Sequence, residues 1–228
     1  MFRRRPAPLG PADHLRALGV EPVSRHFGAD RGEGKPVDRW WIERFLAAHR
    51  ADVRGRVLEI AESTYTQWYG DGEVTRSDVL FAAAGHPDAT VIGDLVTGEG
   101  MPPAAFDCFL CTQTLHVIDD VAAAVRGIHG TLAPGGVALV TMPAVSQTSR
   151  EDARDWGDWW RFTTASATRL FADAFGPDRI EVRAHGNVMT ACAFLYGLSA
   201  EELTPAELEH DDPEYEALIT VRAVRAPA

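Results

Sequence analysis

Residues 106–142 hold, in order, an apolar segment ending at Thr112, an acidic pair, a helical stripe, a Pro-Gly-Gly turn and a second apolar segment. Few folds accommodate that order. The stripe after Asp119 and Asp120 places Val121, Val125, Ile128 and Leu132 at helical spacing, with the acids where a helix dipole favours negative charge. Pro134-Gly135-Gly136 ends the helix, and Val137–Met142 reads as the next strand. A strand, a helix and a strand in one direction form a crossover unit, which requires a parallel sheet covered by helices.

The same alternation extends along the chain. Arg39–Ala51, opened by Asp38 as N-cap, carries Ile42, Phe45, Leu46 and His49 on one stripe and predicts a helix before the first strand. Short β-rich segments follow at 56–61, 73–77 and 89–93, and later ones at 180–184 and 218–224, with a helix predicted over 164–175. Residues 1–36 are rich in Pro, Gly and Arg and read as an irregular arm, leaving 37–228 as one α/β domain. The final strand follows an acidic stretch, 201–216, which reads as a solvated insertion.

In such a sheet the ligand lies outside the carboxyl ends of the strands, near the point where strand order reverses. A dinucleotide cofactor needs a glycine-rich first turn, and here that turn is Ala61-Glu62-Ser63-Thr64-Tyr65. A nicotinamide or flavin enzyme is therefore not expected. Acidic residues outnumber basic ones 33 to 22, and the net charge of −11 argues against nucleic acid as a partner. No apolar run is long enough to span a bilayer, so no membrane association and a cytoplasmic location are expected. Cys108 and Cys111 sit three apart in a predicted strand, hence on opposite faces, and read as buried thiols rather than metal ligands.

Four segments, "VLEIA" from Val57, "FDCFLCTQTLHVIDD" from Phe106, "LAPGGVALVTMP" from Leu132 and "WGDWWRFT" from Trp156, together resemble class I (Rossmann-like) S-adenosylmethionine-dependent methyltransferases. The likeness extends over about Val37–Val224. It is similar to the small bacterial type found near glycosyltransferases and natural-product pathways. The resemblance implies a seven-stranded, mostly parallel sheet with helices on both faces, in which Leu218–Val224 runs antiparallel. It implies S-adenosylmethionine as cofactor, a small-molecule substrate and a biosynthetic role.

Carried onto this chain, the resemblance places Glu59 beside the cofactor's methionine portion and Asp78 on the ribose hydroxyls. Asp94 and Leu95 would hold the adenine, while Thr112 and Gln113 would face cofactor and substrate. Ala61, Ser63 and Tyr65 stand where the family's glycines approach the cofactor, and a tyrosine ring there must turn away or fill part of the pocket. Competing structural readings exist for the acids: Glu59 as a cap on a neighbouring helix, Asp78 and Asp94 as turn stabilisers. His116 is the candidate general base, or else a histidine packed at a helix start. Trp156, Trp160 and Arg161 would line a substrate mouth, or form an aromatic cap over the end of the sheet. No metal is assigned. The expected activity is methyl transfer to a hydroxyl of a sugar or small natural product. The alternatives keep the fold without the cofactor, as an isomerase or lyase or as a regulatory partner of another enzyme.

Overall fold

The computed structural model describes residues 16–32 and 34–228. The run Arg3 to Arg5 and the beginning of the arm lie outside the described residues. Seven strands, β1 (Gly55–Ile60), β2 (Val74–Phe81), β3 (Val91–Ile92), β4 (Phe106–Thr112), β5 (Leu132–Pro143), β6 (Ile180–His185) and β7 (Leu218–Val224), form one sheet. Its order is β3-β2-β1-β4-β5-β7-β6. β7 alone runs antiparallel to its neighbours, as the resemblance implies, pairing Val140 with Val221 on one side and Val182 with Val221 on the other.

The helices are α1 (Val37–Ala48), α2 (Thr64–Tyr69), α3 (Val121–Thr131), α4 (Arg150–Asp155), α5 (Thr164–Phe175), α6 (Val188–Tyr196) and α7 (Pro205–Glu209). Strand periodicity sorts the core into two layers. Leu58, Phe109, Cys111, Ala138 and Val140 face α3 and α5, where Val125, Ile128, Phe171 and Phe175 close the layer. Val57, Cys108, Leu110 and Leu139 face α1 and α6, against Trp41, Ile42, Leu46 and Phe194. The two thiols thus occupy opposite layers, and burial raises that of Cys111 to about 12.

Three local features depart from the sequence reading. β2 runs to Phe81, so Asp78 lies inside the strand, paired with Leu58, rather than after it. The acidic stretch is not merely solvated, because Leu208 is buried under Trp41, whose indole N–H donates to the Leu208 carbonyl at 2.9 Å. Residues 23–32 and 34–36 lie along α6 and the turn after it: Val23 N–H donates to Tyr196 O at 2.8 Å, and Pro36 bridges Ser199. Close approach explains one glycine. A Cβ on Gly127 would sit 2.0 Å from Leu95 O, so only glycine lets α3 pass under the loop after β3.

Candidate active site

Strand order reverses between β1 and β4, and the backbone is strained at the carboxyl ends of both strands. Ala61 (φ 67°) and Gln113 (φ 48°) are non-glycine residues in the left-handed region. Their amides are fixed by Leu80 O and Thr141 O, each at 3.0 Å. Non-glycine residues held in this conformation cluster where the fold over-determines them, which includes ligand sites.

After Ala61 the chain enters α2, and Glu59 closes that turn. Its carboxylate is 2% exposed and accepts from Tyr65 N (3.1 Å), Thr66 N (2.8 Å) and Thr66 Oγ1 (2.7 Å). Burial raises its pKa and these bonds oppose the rise. Of the two readings above, the geometry is that of a helix cap. Ser63 precedes the helix and accepts from Gln67 Nε2 at 2.8 Å. Tyr65 turns away from the loop: its ring joins the α1 layer, stacks on Tyr69, and its hydroxyl accepts from Arg39 Nη1 at 3.1 Å.

Beyond the end of β4 lies a cleft of about 370 Å³ whose lining includes Phe27, Asp38, Arg39, Gln113, His116, Asp158, Arg161 and Phe194. Gln113 donates from Nε2 to Asp38 Oδ2 at 2.9 Å, and burial holds the Asp38 carboxyl above the usual range. Gln113 Oε1 and His116 Nδ1 are buried and have no hydrogen-bond partner among the described residues. A buried polar atom left unpaired costs about 1–3 kcal/mol, so both are poised to gain from a ligand. Burial lowers the pKa of His116, with Asp158 opposing, and the imidazole is neutral near pH 7. Among the described residues no group of three or more His, Cys, Asp or Glu side chains could hold a metal ion.

The tryptophan segment grips His116 from behind. Trp159 N and Trp160 N both approach His116 O, at 2.8 and 3.2 Å, and the Trp160 indole donates to Ile118 O and Asp119 O. Arg161 binds Asp158 with two nitrogens, at 2.5 and 2.9 Å, and donates to Gln147 O at 2.7 Å; Asp158 also accepts from Ser149 N at 3.1 Å. Trp156 and Trp160 are 56% and 40% exposed and are absent from the cleft's lining, so they do not form its mouth. Arg161 lines the cleft with its guanidinium already committed.

Gln113, His116 and Arg161 are therefore brought together, and Thr112 ends β4 beside them. Glu59, Ala61, Ser63 and Tyr65 form the adjoining first loop. Asp78 is elsewhere: 1% exposed, it accepts from Arg56 (2.7 Å), Arg76 (2.9 Å) and Thr90 (2.9 Å), which leaves it no free role at a ribose. Asp94 accepts from Val96 N at 2.7 Å, the turn-stabilising arrangement, and Leu95 is buried in the core. Sequence reasoning missed Asp38 as a site residue, taking it for an N-cap, and missed Phe27 in the arm. Phe27 packs on Phe194 at 5.8 Å with φ 58°. An aromatic within a Gly- and Arg-rich arm was its only signal.

The sequence profile of a family described as a methyltransferase domain matches residues 19–170. No curated protein sequence matches the chain. Among solved structures the chain is similar to the 4+2 cyclase SpnF (14% identity, TM-score 0.55, 95% of this chain and 93% of that one). It is similar also to the N-methyltransferase NodS from Bradyrhizobium japonicum in complex with S-adenosyl-l-homocysteine (16%, 0.51, 92% and 95%). A third is an S-adenosylmethionine-dependent methyltransferase from Mesorhizobium loti (16%, 0.51, 87% and 100%).

Proposed function

The chain belongs to the methyltransferase-domain family, with the class I Rossmann-like fold, and from that premise we propose that it transfers a methyl group from S-adenosylmethionine to a hydroxyl of a sugar or other small molecule. The loop geometry fits the cofactor. Ala61 holds the left-handed turn that a glycine would otherwise supply, and Tyr65 is drawn off towards α1 by Arg39. The Ala61 turn, Thr112 and Gln113 are the residues that would hold it.

The observation that carries the reading is the pair of unpartnered buried atoms, Gln113 Oε1 and His116 Nδ1, beside one cleft. Gln113 Oε1 is an acceptor, and His116 Nδ1 is one in the tautomer that carries its proton on Nε2, so the pair suits a ligand that brings hydroxyl donors. When bound, the cofactor supplies an electrophilic methyl carried on a sulfonium. With the cofactor in place, Gln113 Oε1 would accept from a neighbouring hydroxyl of the substrate and so orient it, while the neutral His116 imidazole would take the proton of the attacking hydroxyl as the methyl leaves the sulfonium for that oxygen. Phe27 and Phe194 keep water from that side of the cleft.

A second reading, a fold retained without use of the cofactor, draws on a different observation. Residues 81–85, at the end of β2, are Phe-Ala-Ala-Ala-Gly, with no carboxylate for a ribose, and Phe81 is stacked on His86 at 4.1 Å. SpnF, a cyclase, has a similar fold. Calorimetric titration with S-adenosylmethionine and S-adenosylhomocysteine separates the two. Saturable binding of both supports methyl transfer, and no heat from either on folded protein refutes it in favour of cofactor-free or partner roles.

A further inference from the structure

A second cavity lies away from the candidate active site, between α1 and the edge strand β6. It measures about 560 Å³, and Trp40, Trp41, Phe45, His49 and His185 supply its aromatic walls. Trp41 and His185 are already satisfied. Trp41 donates to Leu208 O and stacks on His185, whose Nε2 lies 3.0 Å from Thr220 Oγ1. Trp40 is different: its indole Nε1 is buried and has no hydrogen-bond partner among the described residues. Arg44 lies over one face of that ring at 5.2 Å, which holds the indole in place.

The arginines around this cavity are paired: Arg44 meets Glu209 at 3.3 Å and Arg183 meets Glu181 at 2.6 Å. Asp211 accepts from Gly186 N at 2.8 Å and lies 3.5 Å from His185 Nδ1, whose imidazole burial holds towards the neutral form. An ionic ligand would have to break one of these pairs, whereas a neutral one leaves them intact. Aromatic walls favour a flat ligand, and the Trp40 indole donor, sealed within the wall, gains a partner when the ring turns towards an acceptor on that ligand.

We propose that this cavity is a second ligand site, for a neutral planar molecule carrying a hydrogen-bond acceptor, and that its occupancy is coupled to the active-site cleft through α1. The coupling has a short route. Asp38 on the first turn of α1 receives the Gln113 side chain at 2.9 Å, and Trp40 is two residues further along the same helix. A ligand that re-seats Trp40 moves the turn that positions Gln113. The site does not depend on the methyl-transfer reading, since neither Trp40 nor the cavity takes part in it.

The test uses the intact protein, coumarin as the probe and naphthalene as a flat control without an acceptor, followed by ¹H–¹⁵N nuclear magnetic resonance. Trp40→Phe assigns the Trp40 indole signal by its loss, and circular dichroism verifies that the variant is folded. Coumarin should shift the Trp40 indole signal saturably, and naphthalene should leave it near its free position. In Trp40→Phe, coumarin affinity read from its fluorescence should fall about fivefold, the worth of one neutral hydrogen bond. The Gln113 side-chain amide should shift with the same midpoint as Trp40. No saturable shift of the Trp40 signal in the wild-type protein overturns the site, and a saturating Trp40 signal with an unmoved Gln113 amide overturns the coupling.

Discussion

Replacing Ala61 by glycine tests whether the first loop is a family loop under strain. Ala61 holds φ 67° at the end of β1 with its amide on Leu80 O, and its methyl group is exposed. A residue with a Cβ in this conformation carries about 1–2 kcal/mol of steric cost. Glycine removes that cost but gives the unfolded chain more freedom, which takes back about 0.4–1 kcal/mol. Little burial is lost with an exposed methyl, so Ala61→Gly should stabilise the protein by about 0.8 kcal/mol. For a domain of this size that corresponds to a rise of about 2–3 °C in Tm.

Two controls give the measurement its sign. Ala104, exposed at φ 49°, should respond like Ala61. Ala172, inside α5, should lose about 1 kcal/mol or more on substitution by glycine, because glycine is a poor helix former. Urea unfolding followed by circular dichroism resolves these differences. If Ala61→Gly is destabilised as Ala172→Gly is, while Ala104→Gly is stabilised, the loop is held by its methyl group rather than strained by it, and the reasoning fails.

Three further substitutions address the site. Asp78→Asn should cost about 2–3 kcal/mol, towards the lower end for breaking a buried ion pair, because its Arg56 and Arg76 partners are partly exposed. Burial pushes the Asp78 carboxyl up, but the bonds from Arg56, Arg76 and Thr90 outweigh it and the net shift is downward. Its contribution is therefore complete above the unfolded carboxylate pKa and is lost as pH falls through the lower folded value, so the gap between variant and wild type should close below about pH 4; a gap independent of pH contradicts the ion-pair account. His116→Gln should lower kcat about 100-fold with KM nearly unchanged, and the acid limb of the wild-type profile should lie below the usual histidine range because burial disfavours the imidazolium; a limb above that range assigns it to another group. Asp158→Asn should loosen the grip on His116 and lower kcat about 10-fold, shifting the pH profile while KM holds, since Asp158 anchors the strap through Arg161 and Ser149 without itself taking a proton; an unchanged pH profile with reduced Tm would mark its role as structural alone.

The elements that were legible in the chain are those whose determinants are local. β4 and β7 are apolar runs buried on both faces, and α5 opens on a Thr163–Ser166 capping box, so their limits could be read directly. β2 was cut short because Arg76 and Asp78 interrupt its apolar pattern. The charge is tolerated only because Arg56, on the adjacent strand, and Thr90, twelve residues on, reach that carboxylate. α6 was overlooked although Asn187 and Thr190 form a capping box, because its apolar residues face both the sheet and residues 23–32 and so obscure a helical stripe. The same division governs the site. Gln113 and His116 follow a strand that could be placed, so their position could be placed too. Asp38 and Phe27 reach the cleft only once α1 and the arm have packed, which no local pattern encodes.

The first loop separates two things that a motif reads as one. A glycine motif is a statement about residue type, whereas what brings a backbone close to a ligand is a φ angle. The missing glycines suggest a lost loop, yet Ala61 adopts a left-handed conformation and Glu59 closes the turn through Tyr65 N and Thr66 N. Only the tyrosine ring required a new solution, and Arg39 supplies it by holding the Tyr65 hydroxyl against α1. The loop thus combines a glycine-free sequence with a left-handed turn at Ala61. Arg39→Ala should accordingly release the Tyr65 ring and weaken S-adenosylhomocysteine binding, although no glycine position has been touched. Calorimetry on Arg39→Ala beside Arg39→Ala/Tyr65→Ala checks this: affinity recovered in the double variant identifies the released ring as the obstacle, and equal affinity in both refutes it.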